Sequence, residues 1–282
     1  SHLSLPCAMP LVRMEHSGDV GCRRSIIFVR HGESEYNKAI RESGRDPMLR
    51  DAPLTDRGRA QAAAARPKLS SSRAGVEAGI GGTPRWALLV SPLRRALDTA
   101  IGMWPEAFAG QAAEARVEVW PELREVVTGC DDLGTSASAL RREYPQLGPQ
   151  LAGLPEVWWT VPPSLRHLSG DGDDMRQAYR RDPDAFEEAD EAAFEDRLDA
   201  LVRRLSDSPE RLLVVVAHCD LIGRLTRRLG LESESSDSSD SSGSQPGGWW
   251  LRNCECRAAS DLDLQPGGKK RPLAPELDIK AQ

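Results

Sequence analysis

The chain has 282 residues, 39% of them hydrophobic, and a formal net charge of -6 at pH 7. That length suits one α/β domain with insertions around a sizeable core. The acid excess argues against a general nucleic-acid binder, which needs a basic face, and the longest unbroken apolar run, Leu212–Ala217, is far too short to span a bilayer.

Residues 1–23 show no period and read as an irregular extension. Ser25-Ile26-Ile27-Phe28-Val29 then forms a branched, apolar run that predicts a strand buried on both faces. It stops at Arg30-His31-Gly32, followed by a loop carrying Asn37 and a polar surface stretch over residues 38–53. Thr55 or Asp56 predicts the cap of a helix running through the alanines to Arg66, and the serines and glycines of residues 70–84 predict a flexible connection. A second strand, Trp86–Val90, ends at Ser91-Pro92, with Ser91 as cap, Pro92 at the first helical position, and Arg94 and Arg95 in a first turn that favours an anion. A third short strand over residues 117–120 leads to Glu122 and Glu125.

Residues 128–183 read as an insertion with a short helix over 137–144, placed as a lid or as a packed excursion whose tryptophans, Trp158 and Trp159, make a satellite core. Phe194, Leu198, Leu201, Val202 and Leu205 fall at helical spacing within residues 184–206, which predicts a core helix and no site. Leu212–Ala217 is the last parallel strand. It delivers His218-Cys219-Asp220, and a helix continues to Leu229. The acidic, Ser-rich stretch 232–248 lacks the apolar surface to order itself and reads as a disordered loop. Residues 249–256 are expected to form a final edge strand, and residues 259–282 a loose tail. The alternation predicts a three-layer α/β/α sandwich on a mostly parallel sheet, with one main domain over residues 24–258.

Four apolar runs thus end in polar, titratable residues, and in open α/β sheets ligands bind at the carboxyl ends of the strands. Two histidines, two or three arginines and one or two glutamates suit a dianionic phosphate, a nucleophile and a proton donor. At this level Arg94 and Arg95, like Glu122 and Glu125, remain alternatives. A neutral His31 imidazole can attack phosphorus if one ring nitrogen is held as a donor to a backbone carbonyl.

Val29-Arg30-His31-Gly32-Glu33-Ser34 with Asn37 resembles the signature of the histidine phosphatase, or phosphoglycerate-mutase-like, superfamily. Residues 53–62, the segment Ser91-Pro92-Leu93-Arg94-Arg95-Ala96 and Val214 to His218 match it in order. The order of Cys130-Asp131 with Gly134, Tyr144-Pro145 and Trp158-Trp159 resembles a plant and fungal branch. The resemblance implies a phosphohistidine on His31, Arg30 and Arg95 clamping the phosphate, and His218 as a second donor, protonated when the dianion is bound. Glu125 would be the general acid, from the pattern Leu123-Arg124-Glu125. Asn37, Arg94 and Cys219 would be substrate-binding positions. The family usually has Ser or Thr before its second histidine and Gly after it, where this chain has Ala217 and Cys219.

The expected function is phosphate-monoester hydrolysis on a small molecule. The alternatives are a phosphoglycerate mutase, disfavoured because Val126-Val127-Thr128-Gly129 follow Glu125, and a catalytically dead phosphate-binding scaffold, disfavoured by the intact catalytic set. No metal or organic cofactor is implied: Cys254 and Cys256 lack a second pair for zinc, and no Walker-type loop is present. Six scattered cysteines suggest reduced thiols in the cytoplasm.

Overall fold

The computed structural model describes residues 24–80, 85–110, 114–168, 173–231, 249–262 and 264. The expected N-terminal extension, the Ser-rich loop 232–248 and the tail from residue 265 onward lie outside the described residues.

Five strands form one sheet in the order β3-β2-β4-β1-β5: β1 Arg24–Arg30, β2 Trp86–Val90, β3 Ala115–Val119, β4 Leu212–Ala217 and β5 Cys256–Leu262. The first four are mutually parallel, and β5 runs antiparallel to β1. Ile27 pairs with Val214, which in turn faces Leu88. Every residue of β2 and β4 is buried, which is why these strands read as continuous apolar runs.

Alternation along the strands divides the core in two. Ile27, Val29, Leu88, Val90, Val214 and Val216 pack on one face, against Ala62 of α2 (Asp56–Ile80, after α1 at Glu35–Ser43) and Leu97 of α3 (Arg94–Met103). Ile26, Phe28, Leu89, Leu213 and Val215 face the other way, toward the helices at the chain's C-terminal end. The elements between are α4 Pro105–Phe108, α5 Ala137–Glu143, α6 Gly148–Leu151 and α7 Asp173–Arg181. On the second face, α8 (Pro183–Ser206) and α9 (Cys219–Arg228) supply Phe194, Leu198, Leu201, Leu221 and Ile222. The expected three-layer α/β/α architecture is the one observed.

Several local expectations are corrected. Asn37 sits inside α1, at the third helical position, because Ser34 caps the helix and bonds reciprocally with it. Thr55 does bond the Gly58 amide (2.9 Å), yet α2 runs on through Pro67 to Ile80, so residues 70–80 are helical. The helix after β2 starts at Arg94 and not at Pro92, with Leu93 at its cap. The edge strand begins where it was expected to end. Cys254 has φ of 56°, a left-handed turn that breaks the pleat, so pairing starts only at Cys256 and reaches Leu262, inside the expected tail. Insertion 128–183 is no satellite, since Trp158 and Trp159 belong to the same cluster as the sheet.

Candidate active site

Parallel pairing aligns the carboxyl ends of β1, β4 and β2, so that His31, His218 and Ser91 leave the sheet side by side. His31 is buried, and its Nδ1 lies 2.7 Å from the Gly32 carbonyl. A carbonyl can only accept, so Nδ1 carries the proton and Nε2 keeps its lone pair. The backbone around the ring is held as well. His31 donates its amide to Ala217 (3.1 Å), and its carbonyl accepts from Asn253 Nδ2 (3.1 Å) and Cys254 N (3.3 Å). The Gly32 amide donates to Thr99 Oγ1 at 3.0 Å.

The His218 ring lies 5.1 Å from that of His31, centroid to centroid. Its Nε2 is 2.7 Å from Ser91 Oγ, which also accepts from the Leu93 amide at 3.3 Å. The hydroxyl has one proton and two lone pairs, so after accepting from Leu93 it can still donate to Nε2 or accept from it, and the contact ties the ring to Ser91 in either tautomer. The ring's Nδ1 is buried without a hydrogen-bond partner. Burial, reinforced by the Arg95 and Arg30 guanidiniums, holds both imidazoles well below the ordinary value of 6.5, so both are neutral in this state. The expectation of a protonated His218 applied to a bound dianion; without one, the ring is neutral.

Arg30, at the end of β1, donates from Nη1 to the Leu251 carbonyl (2.9 Å) and forms no ion pair among the described residues. Arg95, in the first turn of α3, is buried and already engaged. It reaches Asp132 Oδ1 at 2.7 Å, Asp131 Oδ2 at 3.2 Å and the Asp131 carbonyl at 2.7 Å. The insertion therefore walls the site with two acids that the sequence reading left without a role.

Glu125 is buried beyond the end of β3. Its carboxylate accepts from the amides of Val126 (2.9 Å), Leu221 (2.9 Å) and Asp220 (3.1 Å), the last two in the first turn of α9. These bonds favour the charged form, but burial and the charges of Asp220 and Asp132 outweigh them and push the pKa up to about 7. Glu122 is placed elsewhere: it pairs with Arg204 at 2.9 Å on the surface.

Three expected binding positions do not converge. Arg94 turns its side chain to Glu143, and its amide meets Asp51 Oδ1 at 2.8 Å, so the start of α3 already holds a carboxylate in place of a ligand anion. Asn37 commits its side-chain oxygen to the Ser34 amide (3.3 Å) in the helix cap. Cys219 directs Sγ to the Leu251 carbonyl at 3.8 Å, and burial raises its thiol to about 11, so it stays neutral. The residues missed, Ser91 as partner of His218 and Asn253 on the His31 carbonyl, carried no signal beyond their place just after an apolar run. Among the described residues no cluster of His, Cys, Asp or Glu is placed to hold a metal ion, and no helix is long and apolar enough to cross a membrane.

Two neutral imidazoles, two guanidiniums and one carboxyl poised near neutrality, gathered at the carboxyl ends of parallel strands, are a set chemically suited to phosphoryl transfer. Residues 26–238 match the histidine phosphatase superfamily (branch 1), and the chain belongs to that family. None of the curated proteins compared with the chain matches it. Among solved structures it is similar to a mycobacterial glucosyl-3-phosphoglycerate phosphatase, with 22% identity and a TM-score of 0.44 over 84% of this chain and 91% of that one. An α-ribazole phosphatase from Shigella flexneri is similar at 18% identity and TM-score 0.44, over 84% and 94%. A phosphoserine phosphatase from Entamoeba histolytica, in complex with 3-phosphoglyceric acid, is similar at 18% identity and TM-score 0.41, over 84% and 90%. Membership rests on the sequence match and not on these likenesses.

Proposed function

We propose that this protein hydrolyses a small phosphate monoester through a phosphohistidine on His31. The observation that carries the reading is the pairing of the two rings: His31 Nδ1 is fixed on the Gly32 carbonyl, leaving Nε2 free, and the His218 ring lies 5.1 Å away with a buried, unpartnered Nδ1. His31 Nε2 attacks phosphorus and the ester P–O bond breaks. Glu125 gives its proton to the departing oxygen. Arg30, Arg95 and the His218 ring hold the phosphoryl oxygens as charge redistributes. Water then attacks the phosphohistidine, Glu125 takes back a proton, and inorganic phosphate leaves.

Hydrolysis is favoured over mutase chemistry because Val126 and Val127, just beyond the acid, are buried apolar residues with nothing to offer a sugar acid. The kinship with a plant and fungal branch rests on residues 130–159 and belongs to this proposal. Incubation with a phosphate ester and rapid quenching is expected to trap acid-labile phosphate on the wild type and none on His31→Ala, with phosphate released from the ester. A wild type that never takes up phosphate, or that interconverts 3- and 2-phosphoglycerate faster than it releases phosphate, would overturn the reading.

A further inference from the structure

The apolar face of α8 is interrupted by Asp190, which is fully buried, and by Arg197. Asp190 pairs with Arg197 at 3.3 Å and with Arg124 at 3.2 Å. Burying such ions is costly, and apolar residues of similar volume often give equal or greater stability, so stability is a weak reason for their presence. The other bonds of the cluster suggest a different one. Arg197 Nη1 donates to the carbonyls of Arg124 (3.0 Å) and Glu125 (3.3 Å), while Asp190 Oδ2 accepts from the Val127 amide at 3.1 Å. The backbone on both sides of Glu125 is irregular, and these contacts supply hydrogen bonds it would otherwise lack. The carboxylate itself is held separately, by the start of α9. Thr160, from the insertion, closes the cluster by donating to Asp190 Oδ1 and accepting from Arg124 Nη2 at 2.8 Å.

We infer that Asp190 and Arg197 are positioning residues that aim Glu125 at the leaving oxygen, with Thr160 bracing them from the insertion. The inference rests on the proposed role of Glu125 as acid. A carboxyl positioned for proton transfer contributes on the order of 10²–10⁴-fold, and its worth depends on its being within hydrogen-bond reach. The contribution vanishes when the leaving group needs no proton, so a defect in aiming is selective in a way that a general loss of structure is not.

The test compares glycerol 2-phosphate, whose alkoxide must be protonated, with 4-nitrophenyl phosphate, whose phenolate leaves unaided. For Asp190→Asn and for Arg197→Gln, kcat/KM on the alkyl ester is expected to fall about tenfold or more, while the aryl ester stays within about twofold. Glu125→Gln should show the same selectivity, and adding Asp190→Asn to it should cost nothing further on the alkyl ester. Thr160→Val leaves both ion pairs intact and should show a smaller loss of the same kind, which decides the matter if Asp190→Asn does not fold. Equal losses on both esters, or none on either, would overturn the inference. A Glu125→Gln variant without leaving-group selectivity would instead remove the acid assignment itself.

Discussion

In the proposed mechanism Glu125 is where a single proton decides the rate. Its burial and the neighbouring charges of Asp220 and Asp132 raise it from 4.5 to about 7, so near neutrality it is divided between acid and carboxylate. The protonated form is the useful one for the first step. Turnover of an alkyl phosphate should therefore fall as pH rises through about 7, and turnover of a nitrophenyl phosphate should show no such limb. The second ionisation of an ester, near pH ~6, is untouched by mutation and cancels in the variant-to-wild-type kcat/KM ratio on that ester. The histidines, held below 6.5, place no opposing limb above that value. Asp220→Asn removes a charge that raises Glu125, so the limb should move to lower pH. The profile of the kcat/KM ratio measures this, and a limb that does not move would assign it to another group. Single residues were the least legible part of the sequence. Arg94 and Arg95 are adjacent and chemically alike, and only the first turn of α3 sends one to Glu143 and the other into the site. Ala217 reads as the loss of a hydroxyl beside the second histidine, but Ser91 supplies one from another strand, a pairing that no local pattern announces.

At the scale of elements, the stretch bearing His31 is locked by backbone contact. A Cβ on Gly58, in the first turn of α2, would overlap the Glu33 carbonyl oxygen and lie 3.0 Å from the Glu33 amide nitrogen, while one on Gly32 would lie 2.7 Å from the Gly58 oxygen. Backbone cannot rotate out of the way as a side chain can. Gly58→Ala should destabilise by about 1–3 kcal/mol through overpacking and should lower activity by displacing residues 31–33. A denaturant midpoint lowered at unchanged slope, alongside the rate, would establish both; wild-type stability would mean that the two segments are not in contact. The buried strands were legible because burial on both faces leaves no polar position to blur the run. The ends of elements were not. Pro67 removes one amide bond and suggests a stop, yet α2 continues, and Arg73 stacks on Trp86 of β2 at 4.9 Å, a tertiary contact outside any local window. The edge strand was displaced because residues 249–255 have strand-like composition but serve the loop after β1, with Asn253 and Cys254 bonding His31.

For the whole molecule, the question is whether residues 128–183 move as a separate lid. Their contacts argue for one body. Asp51 bonds the Thr135 amide (3.0 Å), and Tyr144 Oη donates to Asp98 (2.8 Å). Leu140, Leu147, Leu151, Trp158 and Trp159 share the cluster of Leu88, Val90 and Val214. Arg95 joins the insertion to α3 through a pair of buried aspartates, so detaching the insertion would also strand three charges in the site. Opening the segment locally thus exposes the same apolar surface and breaks the same ion pairs as opening the sheet. Amides of α5 should exchange with solvent at a free energy close to that of β4, and Trp158→Ala should lower the midpoint of the whole transition by the equivalent of about 3–5 kcal/mol. Native-state hydrogen exchange decides the matter. If α5 exchanges several kcal/mol more easily than β4 while the catalytic strands stay protected, the segment is a lid after all, and substrate entry would be gated by its release.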